Sequence, residues 1–317
     1  MRVIGRRIIQ LVVVFVVVTF FTVLLISLVP GKPEIVVIPF DNPQQTQRAA
    51  FRKENNLDRP LVIQWEKWAG KFVKGDFGNY YQSTGTDPVA KRIKSSAPVS
   101  ALLILYTQVF SLAVAIPVAI WAAYKSGSRL DKLLNATAFA FISLPAFAVA
   151  LILGYFLGVK YHLLPTSGYV RITDNPVEHF KTMVIPVLSL SLGQIAVYMR
   201  LLRSDLVSTL QEDFILMAKA KGISNRRVLW RHALRPSSLT LLTVAGLSIG
   251  TLIGGTLVVE VLLGIPGMGY LIGQAVLARQ YVALQSSVAL IAIVFVLLNF
   301  LIDYLYTVLD PRIRERT

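Results

Sequence analysis

The sequence predicts an all-α polytopic membrane protein with six transmembrane helices and a polar insertion between the first two. Three observations carry that prediction. Of the 317 residues 55% are hydrophobic and 15% charged, whereas soluble domains average about 45–50% apolar and about 25% charged. Mean hydropathy is +0.62. The apolar residues gather into runs of the length, roughly twenty residues, that a helix needs to cross a hydrocarbon core of about 30 Å.

The first run, Ile8–Val29, follows Arg2, Arg6 and Arg7. It is longer than the apolar stretch of a signal peptide, and Pro-Gly-Lys follows it instead of a small-x-small cleavage site. It therefore reads as a retained helix with a cytoplasmic N-terminus. Residues 30–97 are polar and punctuated by Pro and Gly. Within them Leu61, Trp65, Trp68 and Phe72 recur at helical spacing, which predicts an amphipathic helix. Its aromatics, with Phe77 and Tyr80 beyond it, serve either packing within the chain or an interfacial belt, or else contact with a docking partner.

Five further spans follow, at about Pro98–Tyr124, Leu133–Val159, Met183–Leu202, Leu239–Leu263 and Val282–Val308. The chain thus divides into residues 1–29, the insertion 30–97, a five-helix core 98–310 and a tail 311–317. Basic residues mark one side. The connector after the second span carries Lys125, Arg129 and Lys132, and the tail carries Arg312, Arg314 and Arg316. The connector after the fourth span carries Lys219, Lys221, Arg226, Arg227, Arg231 and Arg235. With six spans, these segments and the N-terminus share a face, which the positive-inside rule makes cytoplasmic. The insertion, also somewhat basic, lands outside; loops longer than about 60 residues cross largely regardless of charge. The net charge of +15 is then a topology signal, and nucleic acid is not the expected partner.

Much chemistry is missing. The chain has no cysteine, so disulfides, thiolate metal sites and thiol nucleophiles are excluded. "AGKF" at 69–72 lacks the first glycine and the hydroxyl residue of a phosphate-binding loop, and "GIPGMGYLIG" at 264–273 does not match the dinucleotide fingerprint. His162, His179 and His232 are scattered. Acidic residues in apolar surroundings, which mark ion-coupled transporters, reduce to Asp205, Glu260 and Asp303. Asp303 is the candidate coupling carboxylate among them, although pairing with a basic residue near the inner face is the preferred reading.

In the fifth span Gly246, Gly250 and Gly254 repeat every four residues and share a helix face. Such a stripe lets another helix approach closely, either in fixed packing or at a moving subunit interface. Ser248, Thr251 and Thr256 add hydroxyls that can line a polar path or bond to their own helix.

The connector at 208–235 contains "EDFILMAKAKGISNRRVLWRHALRP". It predicts a helix from about Ser208 to Ala220 with Phe214, Ile215 and Ala218 as an apolar face. Gly222 suits the residue after the helix, where φ is positive. Ser224 then caps a second helix through about Ala233, and Pro236 starts the next span. An amphipathic loop lying on anionic headgroups has the same charge, but it needs neither the glycine break nor the alanines packed before it.

These residues carry a resemblance. "DFILMAKAKG…RHALRP" resembles the EAA loop of permease subunits in bacterial ABC importers, in the variant of the dipeptide/oligopeptide/nickel family. Ala218 matches the motif's last alanine, Gly222 its glycine and Leu234 its later leucine. The general motif's glutamate is Leu216 here, and its isoleucine and proline positions are His232 and Arg235, departures usual in the peptide branch. "RRIIQ…LISLVPGKP", "GDFGNYYQSTGTDPVAKRI", "SLPAFAVALILGYFLGVKYHLLPTSGY", "VVEVLLGIPGMGYLIGQAV" and "DYLYTVLDPRIR" are similar to further segments of that family, in order along nearly the whole chain.

The resemblance implies a type I ABC importer permease fold in a bacterial cytoplasmic membrane, embedded in lipid with both termini cytoplasmic. It implies a homologous second permease, two ATPase subunits that hold the ATP and magnesium, and an extracytoplasmic substrate-binding protein. Short peptides are the expected cargo, with nickel or haem as alternatives within the family. A self-contained ion-coupled transporter and a membrane scaffold are the rivals outside it. The chain itself is expected to hold no catalytic residue, cofactor or metal. Asp213, Phe214, Ile215, Ala218, Lys219, Ala220, Lys221 and Gly222 are the expected coupling residues, with Gly246, Gly250, Gly254, Ser248 and Thr251 on the helix-packing or translocation face. Trp65, Trp68, Phe77 and Tyr80, with the loops near Tyr169 and Gly267, are the candidate docking surface.

Overall fold

Backbone groups in hydrocarbon find partners only inside a helix or a closed barrel, and the computed structural model is built of helices. It describes residues 2–28, 51–53, 55–82 and 85–309, with the side chains at 2–4, 6, 7, 82, 85, 303 and 305–309 outside that description. In chain order come α1 (Arg2–Leu28), α2 (Leu61–Val73), and the antiparallel hairpin β1 (Asn79–Gln82) and β2 (Gly85–Pro88). Then follow α3 (Val89–Tyr124), α4 (Arg129–Ser143) and α5 (Ala146–Leu153), which continues as the π-helix Gly154–Lys160. After α6 (Pro176–Thr209), α7 (Asp213–Ala220) and α8 (Asn225–Arg227), the π-helix Val228–Ala233 leads directly into α9 (Leu234–Leu263). The chain ends in α10 (Met268–Leu277) and α11 (Tyr281–Leu309). Among the described residues five helices are long and apolar enough to cross a membrane, and the pair Arg129–Ser143 and Ala146–Lys160, bent by 100°, brings the number to six when counted as one broken span.

The third span, expected to be one helix, is therefore broken. Pro145 has no N–H and its ring disfavours helical backbone in the residue before it, so Leu144 turns extended (φ −91°, ψ 123°). The helix restarts when Ala148 N–H donates to the Pro145 carbonyl at 2.9 Å. Other spans outrun their apolar cores. Asn175 caps α6 by accepting from the N–H groups of Val177 and Glu178 at 3.1 and 3.2 Å, with Pro176 in the first turn. The second span starts at Val89 and passes through Pro98. Burial of Val89 and Ile93 against Met268 and Leu271 supports the extra turns.

The chain divides into two units. The first comprises residues 1–100 and 266–297. Here α2 is amphipathic as predicted, and its aromatics turn inward. Trp68 is buried and its indole N–H donates to Ser286 Oγ at 3.1 Å, while Trp65 donates to Thr19 Oγ1 of α1 at 2.9 Å. Phe15 stacks on Trp68, which meets Phe72 at a tilt, and Phe77 packs edge-on against Phe72. Tyr80 is buried beneath the Arg92 guanidinium, 4.0 Å from the ring centre, and burial raises its phenol pKa above the ordinary value. Gln280 continues the hairpin as a backbone would: its side chain accepts from Tyr81 N–H at 3.0 Å and donates to Tyr81 O at 2.7 Å. Of the four aromatics named as a docking surface, Trp68 and Tyr80 are buried in packing within the chain, and Trp65 and Phe77 are partly buried against the same clusters. Residues 30–50 of the insertion lie outside the described residues.

The second unit comprises residues 101–265 and 298–317. Within it α6 packs against α4, α5 and α9. At the end of α9, Gly264 takes a left-handed conformation (φ 63°), and Ile265 N–H reaches back to Glu260 O at 2.9 Å. The Leu263 carbonyl accepts from Gly168 N–H at 3.1 Å, so this helix end is closed by the loop after the third span. His179, fully buried, lies between the Val170 carbonyl (2.7 Å from Nδ1) and the Tyr106 hydroxyl (3.2 Å from Nε2).

Replacing Gln280 by Leu leaves the Tyr81 N–H and C=O without that partner, at a cost of about 1–3 kcal/mol. Amide exchange at residues 79–82 and 85–87 is expected to accelerate by about tenfold or more in the Gln280→Leu chain while α6 stays protected. Equal exchange in both proteins would show that the hairpin holds without Gln280.

Candidate functional site

The basic connector forms a tightly folded structure. Glu212 is extended and starts α7, with Asp213 in the first turn where a negative charge is favoured. The first helix is shorter than the predicted Ser208–Ala220, since α6 itself runs on to Thr209. At its end Gly222 has φ 77°. Its N–H donates to Lys219 O at 2.9 Å, and Ile223 N–H donates to Ala218 O at 3.2 Å. This paired closure needs a left-handed residue at position 222, as expected of a glycine there. Ser224 stands at the start of α8, but its side chain accepts no capping bond. Pro236 does not begin a new helix: it lies in the first turn of α9, after the continuous π-helical turn 228–233.

Burial divides the predicted apolar face. Ile215 and Ala218 point into a core with Tyr198, Leu202, Leu206, Val228, Leu229 and Ala233. Neither is available to dock in another protein's groove, because each already fills this one. The exposed face of α7 carries Phe214, Leu216 and Met217, with Asp213, Lys219, Ala220 and Lys221 also exposed. Leu216 and Met217 were not singled out by spacing; only the direction of burial identifies them. Trp230, half exposed, adds a further aromatic on the π-helical turn.

Two polar ties fasten neighbouring helix ends. Thr209 Oγ1 and Ser237 Oγ are 2.9 Å apart and join α6 to α9. Asp131 and Arg203 join α4 to α6 in a fork, with Nε–Oδ1 at 2.8 Å and Nη2–Oδ2 at 2.5 Å. The Asp131 carboxylate is buried and also accepts from Gly127 N–H and the Asn135 amide, each at 2.9 Å. Sequence reasoning missed this pair. Asp131 sat among basic residues as one acid in a connector, and nothing local announces a partner 72 positions away.

A recess of about 470 Å³ lies where α4 and α5 diverge, between them and the middle of α6 and α9. Ser248 and Thr251 line it, as do Gln194 and Gly255, beside apolar residues such as Phe141 and Leu144. Ser248 is buried and its hydroxyl meets the Tyr198 hydroxyl. The glycine stripe behaves unevenly. A Cβ on Gly246 would come 2.7 Å from Ile302 Cγ2, so α9 and α11 meet closely there. Gly250 is buried, while Gly254 is exposed with open space beside it. Within the chain the close approach falls at Gly246, and space is open beside Gly254.

Residues 115–315 match the family model described as "Binding-protein-dependent transport system inner membrane component". A probable peptide ABC transporter permease protein of Sinorhizobium fredii is 33% identical, over 98% of this chain and 98% of that protein. The chain belongs to the peptide/nickel family of ABC importer permeases. Other relatives of the permease include a putative peptide transport system permease protein of Brucella abortus, 33% identical over 98% of each chain. The nickel import system permease protein NikB of Staphylococcus aureus is 32% identical over 97% of the permease and 90% of NikB. A solved chain of the MetNI methionine ABC transporter in inward-facing conformations superposes with a TM-score of 0.55 at 15% identity, covering 69% of the permease and 96% of that chain. That likeness gives the fold alone: the permease has the type I importer fold. Family membership displaces the ion-coupled and scaffold readings. Glu260 is fully buried near the end of α9, and the side chain of Asp303 lies outside the described residues.

Breaking the fork on one side strands a buried charge, which costs about 3–5 kcal/mol. Arg203→Met is therefore expected to lower the thermal midpoint of the detergent-solubilised permease markedly, and the double change Asp131→Leu with Arg203→Met to recover much of the loss. Additive losses in a double-mutant cycle would show that the two residues are not coupled.

Proposed function

We propose that this permease imports short peptides, as one of two homologous permeases through which cargo passes after delivery by an extracytoplasmic substrate-binding protein. Two ATPase subunits, which hold the ATP and magnesium, drive it from the cytoplasmic side. The reading is supported first by the relatives named for peptide transport, which align from end to end. The basic segments on alternate connectors and near both ends of the sequence support cytoplasmic termini. The permease itself contributes a pathway and a lever, with no group assigned to bond making.

The single observation that carries the coupling role is the two-sided α7. Ile215 and Ala218 anchor it to the ends of α6 and the π-helical turn, while Phe214, Leu216 and Met217 remain at the surface with Lys219 and Lys221 beside them. An exposed apolar patch rimmed by charge is the composition of a docking face. Anchored in this way, α7 does not slide over the spans when a partner moves it. A displacement at the ATPase is passed on as tilting of packed helices, a rigid-body transition between two states.

Nickel stands second, because NikB aligns over nearly the whole permease. Purification from native membranes in mild detergent, with identification of co-purifying proteins and of the ligand on the binding protein, separates the two. A peptide ligand supports the proposal; a bound nickel complex replaces it.

In the reconstituted importer, Gly222→Pro forces φ near −65° where 77° is needed. The expected outcome is a chain still inserted in the membrane, with uptake down at least tenfold and ATP hydrolysis no longer stimulated by the loaded binding protein. Unchanged uptake in that variant would remove the coupling role from this loop.

A further inference from the structure

The recess at the broken third span has features that neither helix packing nor contact with lipid explains. It lies among three spans, and its lining combines apolar side chains with hydroxyls and one carboxamide. The hydroxyl protons are already placed: Ser189 Oγ donates to Pro186 O, Ser248 Oγ to Ala245 O and Thr251 Oγ1 to Ser248 O, each at 2.8 Å. Gln194 differs. Among the described residues its carboxamide makes no hydrogen bond, although it stands in the middle of α6. An amide left unpaired against hydrocarbon is strongly disfavoured, so this face has another occupant than lipid.

We propose that the recess is a subsite for one side chain of a passing peptide, and that Gln194 bonds the peptide backbone beside that side chain. This rests on the peptide reading above and specifies where the cargo is felt. A carboxamide offers an N–H donor and a C=O acceptor in one plane, the same pair that a peptide bond presents. The apolar walls accept a hydrophobic side chain without demanding a particular one. A metal ion finds nothing comparable here, since no histidine or carboxylate lines the recess. The space has an identifiable origin. Pro145 swings α5 away from the line of α4, and Gly193 and Gly255 add no side chains on the facing helices. A Cβ built on Gly193, which lines the recess, meets nothing within 4 Å, so a side chain starts there in open space.

The test uses the complete importer in proteoliposomes, with ATP inside and the binding protein outside, and compares uptake of Ala-Ala and Ala-Phe. Gly193→Leu is expected to lower the Ala-Phe to Ala-Ala ratio by about tenfold, as loss of pocket space discriminates between substrates by side-chain size. Gln194→Leu is expected to raise KM for both dipeptides by about tenfold at an unchanged ratio, with Gln194→Asn recovering part of the loss. Each ratio is taken within one preparation, so a lower yield of folded complex cancels. If the unaltered importer moves both peptides and neither variant changes ratio or KM, the recess is filled by something else, such as a helix of the second permease, and the subsite is overturned. Failure of the unaltered importer to move either peptide overturns the peptide reading itself, and the subsite with it.

Discussion

Hydrocarbon supplies no hydrogen-bond partners, and the form of this permease follows from where its helices break despite that constraint. Each break is closed locally. Across Pro145 the chain resumes helical bonding within three residues. At Gly264 the left-handed residue returns two N–H groups to the helix just ended, and the loop at Gly168 takes the Leu263 carbonyl. The π-helical turns at 154–160 and 228–233 keep the backbone bonded while shifting the register of the side chains that follow. A helix can thus change direction or face inside the membrane without exposing polar backbone.

Those breaks fall beside the residues with a proposed role. The bend at Pro145 opens the recess between α4, α5, α6 and α9, and the turn at 228–233 carries the basic connector into α9 without a joint. Because Ile215, Ala218 and Leu229 share one core with Tyr198 and Leu206, that connector belongs mechanically to the helix ends it links. The Asp131–Arg203 fork adds a directional tie to the same group of helices. Buried ion pairs contribute little net stability, but a bidentate pair holds one geometry more strictly than apolar contact does. These features favour a block that moves as a unit over a loose loop on a membrane surface.

Much of the permease was legible in the sequence because bilayers impose blunt requirements. Apolar runs about twenty residues long marked the spans, and a glycine between two short helices announced a left-handed turn, found at Gly222 with φ 77°. Prolines were only partly legible. Pro145, expected inside an unbroken span, breaks it, and Pro98, expected to start a span, lies within a helix that begins at Val89. Pro186 lies inside its helix, as its span required. Trp68 and Tyr80 likewise had two readings in the sequence, and only their burial chose packing.

Composition and order along the chain by themselves determined the class: a helical membrane protein, its family and the segment set apart from the spans. These depend on transfer of side chains between water and hydrocarbon and on local backbone preference, which act residue by residue. Tertiary structure alone decided which face of α7 is buried, that Asp131 meets Arg203, and that Gln194, Ser248 and Thr251 border one recess. Such pairings join residues tens of positions apart, and helical periodicity sets only the angle between side chains on one helix. Which neighbour a face meets is settled when helices pack together.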